Sequence, residues 1–171
     1  DRAFQAARLV YQRSRERLEA TGGISLQTPE FAGVIQSGSL LYDLKKGQVD
    51  LSQEPRLRRQ RSSGVLVIRA DEMHIDLQRE LLAGEGAFRV ESTGVDLEAE
   101  RGLYAADTEQ LVLVGQVVLA QEREEDEYSS HIQADSMLVD MRDGAIEQIH
   151  IPEDLKATMR VSATRVSWIQ G

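Results

Sequence analysis

A degenerate pattern returns about every thirty residues along this chain of 171 residues. Each copy has an apolar residue, a spacer and a small residue. In the clearest copies the next residue is an acid, and another apolar residue lies four positions after that acid. The clearest copies are 68–77, 97–104 and 132–141, and weaker ones begin at Ile35 and Val161, which gives anchor positions 38, 71, 100, 135 and 164. A fixed period in this range predicts a repeated structural unit whose neighbours bury each other's apolar faces.

Composition excludes several classes of function. The chain has no cysteine, which rules out disulfides, iron–sulfur clusters and thiol catalysis. A net charge of −9 disfavours nucleic-acid binding, because such binding needs a basic surface. No apolar run approaches the length of about eighteen residues that suggests a transmembrane helix. Since the chain begins at Asp1, a targeting segment or anchor that had been removed would not be visible.

The first 23 residues differ from the rest. Phe4, Ala7, Tyr11 and Leu18 fall near one helical face, and arginines occupy other positions. We predict a short amphipathic helix within this arginine-bearing segment, the alternative being a poorly ordered terminus. Residues 24–171 form the second predicted part, a repeat-built β domain.

Apolar residues alternate at period two through the second part, with turn signals between the runs. The phase of this alternation changes within each repeat: the apolar positions are 66, 68 and 70 before the acid, and 73, 75 and 77 after it. A bulge or corner at the alanine–acid pair keeps both sets on one face and bends the strand. Gly86 and Gly115, each fifteen residues past an anchor acid, predict a second corner. The charged run 122–127 is predicted to be a solvated hairpin loop.

These patterns resemble the OstA-like family, the β-jellyroll proteins of bacterial lipopolysaccharide transport. The resemblance is carried by 68–77 with 84–90 and by 95–104 with 111–119, and it extends over about residues 35–168. It implies an all-β, slightly open, twisted sandwich of stacked, solenoid-like repeats in the periplasm. It also implies a groove for lipid A acyl chains and like-folded partners stacked end to end. The N-terminal segment departs from the family pattern, so which member the chain resembles most stays open.

An apolar stripe along the repeats is the candidate binding surface. Sequence alone favours a closed, dry core, whereas the resemblance implies a groove open to lipid. Aliphatic and methionine side chains suit acyl chains, because their contacts are non-directional. The residues predicted to face inward and contact lipid are Leu44, Ile68, Met73, Ile75, Leu77, Phe88, Leu97, Tyr104, Leu111, Leu113, Val117, Leu119, Ile132, Met137 and Val139.

No arrangement of residues indicates an enzyme, a metal site or a cofactor. The three histidines are not spaced as metal ligands. Asp71 with Asp76, and Asp135 with Asp140, could serve as catalytic carboxylate pairs, but they recur with the repeat. Aspartate also suits turns, because its side chain caps local backbone N–H groups. We therefore interpret these acids as structural.

A basic cluster is formed by Arg56, Arg58, Arg59 and Arg61. These arginines could pair with phosphates of a lipid headgroup. The simpler interpretation is an exposed strand end whose charge prevents edge pairing. The sequence favours this second interpretation.

The sequence thus predicts a non-enzymatic periplasmic carrier or bridge that shields lipopolysaccharide acyl chains. Its partners would be like-folded transport proteins or further copies of this chain, joined through the terminal repeats 35–44 and 161–169. The alternative is a polymerising β-solenoid scaffold without a lipid ligand. A third hypothesis, a carbohydrate-active β-helix, needs exposed aromatic residues, and aromatic residues make up 5% of the chain.

Overall fold

The computed structural model describes residues 3–62, 64–123, 128–143, 145–152 and 157–163. Its strands are β1 (Ala3–Gln5), β2 (Arg8–Gln12), β3 (Arg17–Thr28), β4 (Gly33–Asp43), β5 (Gln48–Ser52), β6 (Arg56–Arg61), β7 (Gly64–Arg69), β8 (Glu72–Asp76), β9 (Leu81–Ser92), β10 (Val95–Ala105), β11 (Gln110–Arg123), β12 (Tyr128–Arg142), β13 (Ala145–His150) and β14 (Ala157–Ala163). All of the pairs between them are antiparallel, and within the described ranges the only helical element is a 3-10 turn, Arg13–Arg15. The predicted all-β fold class is confirmed.

The predicted N-terminal helix is wrong. Its residues form β1 and β2, which pair with the two halves of β3. A bend between β1 and β2, where Ala7 N donates to Gly22 O, interrupts the period-two alternation. The resulting spacing of Phe4, Ala7 and Tyr11 imitates a helical face. β3 itself runs unbroken across residues 23 and 24.

The strands follow one another as a meander, folded along a line of bends into two facing layers. β3, β4, β9, β10, β11 and β12 each cross that line, and β5 leads into β6 and β7 into β8 in the same way. Layer A contains β2, β5, β8, β13 and residues 17–21, 39–43, 81–85, 101–105, 110–114 and 136–142. Layer B contains β1, β6, β7, β14 and residues 24–28, 33–37, 88–92, 95–99, 117–123 and 128–134.

Two kinds of bend alternate along the chain. Where the chain passes from layer A to layer B, two consecutive residues have positive φ: Gly22 and Gly23, Gln53 and Glu54, Gly86 and Ala87, Gly115 and Gln116. Where it returns to layer A, the pairing is interrupted at the alanine–acid pairs 70–71, 99–100 and 134–135. Both predicted corners are therefore confirmed. The phase change keeps the apolar side chains on the inner face, and the set Leu66, Ile68, Ala70, Met73, Ile75 and Leu77 is buried.

Hydrogen bonds tie the bends of neighbouring strands together. Ala7 N donates to Gly22 O, Gly38 N to Gln53 O, and Asp71 N to Gly86 O, each at 2.9 Å and each between residues fifteen apart. In each of these hydrogen-bonded pairs one residue is glycine, because the side chain of the other residue lies over the glycine Cα. A Cβ on Gly86 would collide with the Asp71 carboxylate, and one on Gly115 with Glu100. Because the bends of neighbouring strands are fifteen residues apart, two successive strands together give the period of about thirty residues.

Candidate functional site

Apolar side chains from both layers fill the space between them. Among the residues predicted to contact lipid, those that are buried are Ile68, Met73, Ile75, Leu77, Phe88, Leu97, Tyr104, Leu111, Leu113, Val117, Leu119, Met137 and Val139. Ile132 is partly buried and packs against this set. The alternation thus identified which side chains face inward, while their contact with lipid stays a prediction.

Leu44 does not face the interior, and its inward assignment is wrong. It follows the last residue of β4 and lies in the turn to β5, where its N–H donates to Glu16 O at 3.0 Å. Outside the strand, alternation no longer sets the direction of its side chain, which is 44% exposed. Sequence reasoning also missed inward residues before the first strong repeat, such as Phe31, Ile35 and Leu57, all of which are fully buried.

Phe88 joins the two layers in the middle of the interior. It projects from layer B, and its ring packs against Gly84 and Gly102, which lie opposite each other on β9 and β10 in layer A. A Cβ on either glycine would collide with the ring. The bare backbone of layer A therefore forms the seat of this side chain, and the layers are in close contact here.

At the N-terminal end of the interior, apolar side chains of the inner face are exposed. Phe4, Leu9 and Tyr11 lie opposite Leu26, Ala20 and Leu18, which face inward. The side chains of Phe4, Leu9 and Tyr11 are nevertheless 38%, 52% and 55% exposed, because β1 and β2 are the edge strands at this end. The apolar inner face thus continues past the last buried residues and reaches solvent.

Arg59 brings a charge into the apolar interior. Its side chain is 2% exposed; it donates to the Tyr104 hydroxyl and lies 3.5 Å from a carboxylate oxygen of Glu109. The guanidinium carbon is 5.6 Å from the centre of the Tyr104 ring. Tyr104 and Glu109 belong to layer A and to the turn that follows β10, so Arg59 reaches across from layer B.

The predicted exposure of the arginine cluster is therefore wrong for Arg59. In β6 the alternation places Leu57 and Arg59 inside and Arg58 outside. Arg56 is also exposed, and its Nε donates to the side chain of Gln36 at 2.8 Å. The side chain of Arg61 lies outside the described part of the structure.

Asp71, Asp76 and His74 have structural partners. Asp71 covers Gly86, and Asp76 accepts hydrogen bonds from the N–H groups of Gln78 and Arg79 at 3.0 and 3.1 Å, as a turn cap does. His74 is exposed, and its Nδ1 lies 2.6 Å from Asp50. Among the described residues there is no group of three or more side chains suited to holding a metal ion.

Comparison with known proteins identifies the fold. No family model matches the chain, and no curated protein matches it in sequence. The structure is similar to that of LptH from Pseudomonas aeruginosa, described as the LptA homologous periplasmic component of the conserved lipopolysaccharide transport device. The TM-score is 0.65 at 8% sequence identity, over 72% of this chain and 96% of that one.

At this identity the similarity shows the fold alone. It confirms the β-jellyroll architecture that the OstA-like resemblance implies. Within the described ranges the chain contains no helix with the length and apolar character needed to cross a bilayer. The fold and the site define an all-β protein with an apolar interior between two layers, whose inner face reaches solvent at the N-terminal edge strands.

Proposed function

We propose that this protein is a periplasmic component of lipopolysaccharide transport and that it holds acyl chains between layers A and B. The observation that carries the proposal is the continuity of the apolar inner face, which runs from the buried interior to the exposed Phe4, Leu9 and Tyr11. A core that served packing alone would end in polar side chains at its edge strands. The LptH-like fold supports the same function.

Acyl chains need no specific polar partner to bind such an interior. Each CH₂ group removed from water contributes about 0.8 kcal/mol, so a segment of about ten groups gains roughly 8 kcal/mol before the cost of association is subtracted. The inner face is aliphatic along most of its length, with Met73 and Met137 among its members. Methionine adapts to the shape of a flexible ligand. Neither a cofactor nor a catalytic group has a part in this function.

The close packing around Phe88 sets a condition on this function. Its ring fills the space above Gly84 and Gly102, so an acyl chain that lay there would displace it. Loading would therefore separate the two layers locally, with the line of bends as the hinge. This condition distinguishes the proposal from the scaffold alternative, in which the interior stays closed.

The exposed apolar end formed by β1 and β2 is also the surface through which we propose that like-folded proteins stack. The sequence assigned the ends to 35–44 and 161–169, and the first assignment is wrong, because β4 pairs on both sides, with β3 and with β5 and β6. At the N-terminal end of the sheet the edge strands are β1 and β2. Residues 161–163 lie in β14, which pairs with β12, and residues 164–169 lie outside the described residues.

Leu9→Asp is expected to weaken end-to-end association by about tenfold or more, because docking would bury a carboxylate beside apolar side chains. Val10→Asp is the matched control, since Val10 lies on the same strand but faces outward, opposite Glu19. Sedimentation velocity over a range of protein concentrations, with and without a like-folded partner, measures the effect. Equal association of the two variants would contradict stacking through the inner face.

Lipid carried by the purified protein tests the function itself. Protein made in the periplasm of a lipopolysaccharide-producing bacterium should release lipid A species on organic extraction, detected by mass spectrometry. A protein of similar size purified in parallel is the control for contaminating lipid. Lipid-free protein, together with filaments that form equally well without lipopolysaccharide, would favour the scaffold alternative.

A further inference from the structure

Among the side chains that the structure describes, Arg59 is the only charged one that is fully enclosed. Burial of a guanidinium group is costly unless it is paired, and both of its partners, Tyr104 and Glu109, come from the opposite side of the interior. The contact therefore joins the two layers.

The position of this contact in the fold is at the side opposite the bends. Arg59 comes five residues after the bend at Glu54, and Tyr104 four residues after the interruption of the pairing at Glu100. At a rise of about 3.3 Å per residue, each lies roughly 13–17 Å from the hinge line. Glu109 lies farther out, in the turn between β10 and β11. The layers are therefore connected by bends along one side and by this contact at the other.

We propose that Arg59, Tyr104 and Glu109 form a clasp that holds the free margins of layers A and B together. Opening of the clasp gives an apolar chain access to the interior from the side. The second statement rests on the proposed function; the first stands without it.

Several details make the clasp able to open without unfolding the layers. The Glu109 side chain is 18% exposed, so water reaches the carboxylate when Arg59 departs. Its other oxygen accepts a hydrogen bond from Asp143 N at 2.8 Å, which keeps the carboxylate in place in either state. Arg59 Nε has no hydrogen-bond partner, so the closed state leaves one donor unsatisfied that solvent would satisfy.

An introduced thiol can report the opening, because the chain has no cysteine of its own. Leu66 lies directly opposite Arg59 in the β6–β7 pair and is buried, so Leu66→Cys places the thiol beside the clasp. Val117→Cys is the control thiol, buried next to the bend at Gly115 and Gln116. Each thiol is labelled with a maleimide in the 171-residue chain, with the clasp intact and with Glu109→Gln or Tyr104→Phe.

The clasp predicts that Leu66→Cys is labelled at least about tenfold faster than the global unfolding equilibrium of the same variant allows, whereas Val117→Cys is labelled only through global unfolding. Glu109→Gln should accelerate labelling at Leu66→Cys by about tenfold or more. Tyr104→Phe removes only the hydroxyl group and should act in the same direction by a smaller factor. Labelling of Leu66→Cys no faster than global unfolding allows, as at Val117→Cys, would mean no local opening, and no acceleration at Leu66→Cys by Glu109→Gln would mean no clasp; either result overturns the proposal.

A pyrene-labelled fatty acid tests access from the side. Its uptake rate should rise with Glu109→Gln by about the same factor as the labelling rate. Uptake that is measurable but unchanged would overturn the access route and leave the clasp intact. Absence of uptake by every variant, with the labelling contrast preserved, would overturn the proposed function but not the clasp.

Discussion

Replacement of Phe88 with alanine should lower the free energy of unfolding by about 3–5 kcal/mol, the largest loss expected from any apolar side chain of the interior. The ring is fully buried and faces Gly84 and Gly102. Because glycine has no side chain that could move into the space, the cavity stays nearly the size of the ring. Urea denaturation monitored by circular dichroism measures the loss.

Phe4→Ala is the control for this prediction, since Phe4 has the same chemistry but lies 38% exposed on the edge strand β1. Its loss should stay below about 1 kcal/mol. Similar denaturation midpoints for the two variants would show that Phe88 does not join the layers. A small loss for Phe88→Ala alone would show that layer B collapses onto layer A and refills the space.

Glu109→Gln should cost about 3 kcal/mol in the native background and less than about 1 kcal/mol in an Arg59→Met background. The first change leaves the buried guanidinium of Arg59 without its counter-charge. Glutamine keeps an oxygen that can accept from Asp143 N, so the loss reports the ion pair. Arg59→Met alone should lie within about 1 kcal/mol of the native protein, because methionine suits the apolar surroundings.

Thermal or urea denaturation of the four proteins in this cycle gives the coupling energy between Arg59 and Glu109. Arg69 and Glu91 provide a matched comparison, because they form an ion pair at 3.3 Å with both side chains well exposed. Their coupling should be below about 1 kcal/mol. A Glu109→Gln loss that is the same with arginine or methionine at position 59 would contradict the buried ion pair.

The bends could be predicted from the sequence because they leave a local signature. A change in the phase of alternation at Ala70–Asp71 or Ala99–Glu100 has one economical explanation, a bulge that keeps the apolar side chains inside. The glycines at 86 and 115 marked the next bends for a reason that the structure supplies: each is covered by the anchor acid of the neighbouring strand. Local pattern and tertiary contact agree at these positions.

The bend at Gln53–Glu54 left no such signature. Both residues have positive φ but neither is glycine, because at this bend the glycine is Gly38 on the neighbouring strand. The bend between β1 and β2 similarly disrupted the alternation within a short segment and suggested a helix. A bend cannot be predicted from the short stretch of sequence around it when the glycine that marks it lies on the neighbouring strand.

Arg59 illustrates a different limit of sequence reasoning. Arg56 and Arg58, which precede it on the same strand, face solvent, and its partner Tyr104 is 45 residues away. Alternation with Leu57 would have placed it inside, but burial of an arginine is rare without a partner. Only the folded chain shows that the partner exists.

The central claim is that acyl chains occupy the space between the layers, and site-specific photo-crosslinking tests it most directly. A diazirine-bearing residue would be placed at Ile75 or at Leu113, both fully buried on the inner face, and at His74, which faces outward beside Ile75. In lipopolysaccharide-producing cells, irradiation should give lipid adducts at the two inner positions and none at His74. Adducts at no inner position, or equally at all three, would contradict an interior that holds lipid.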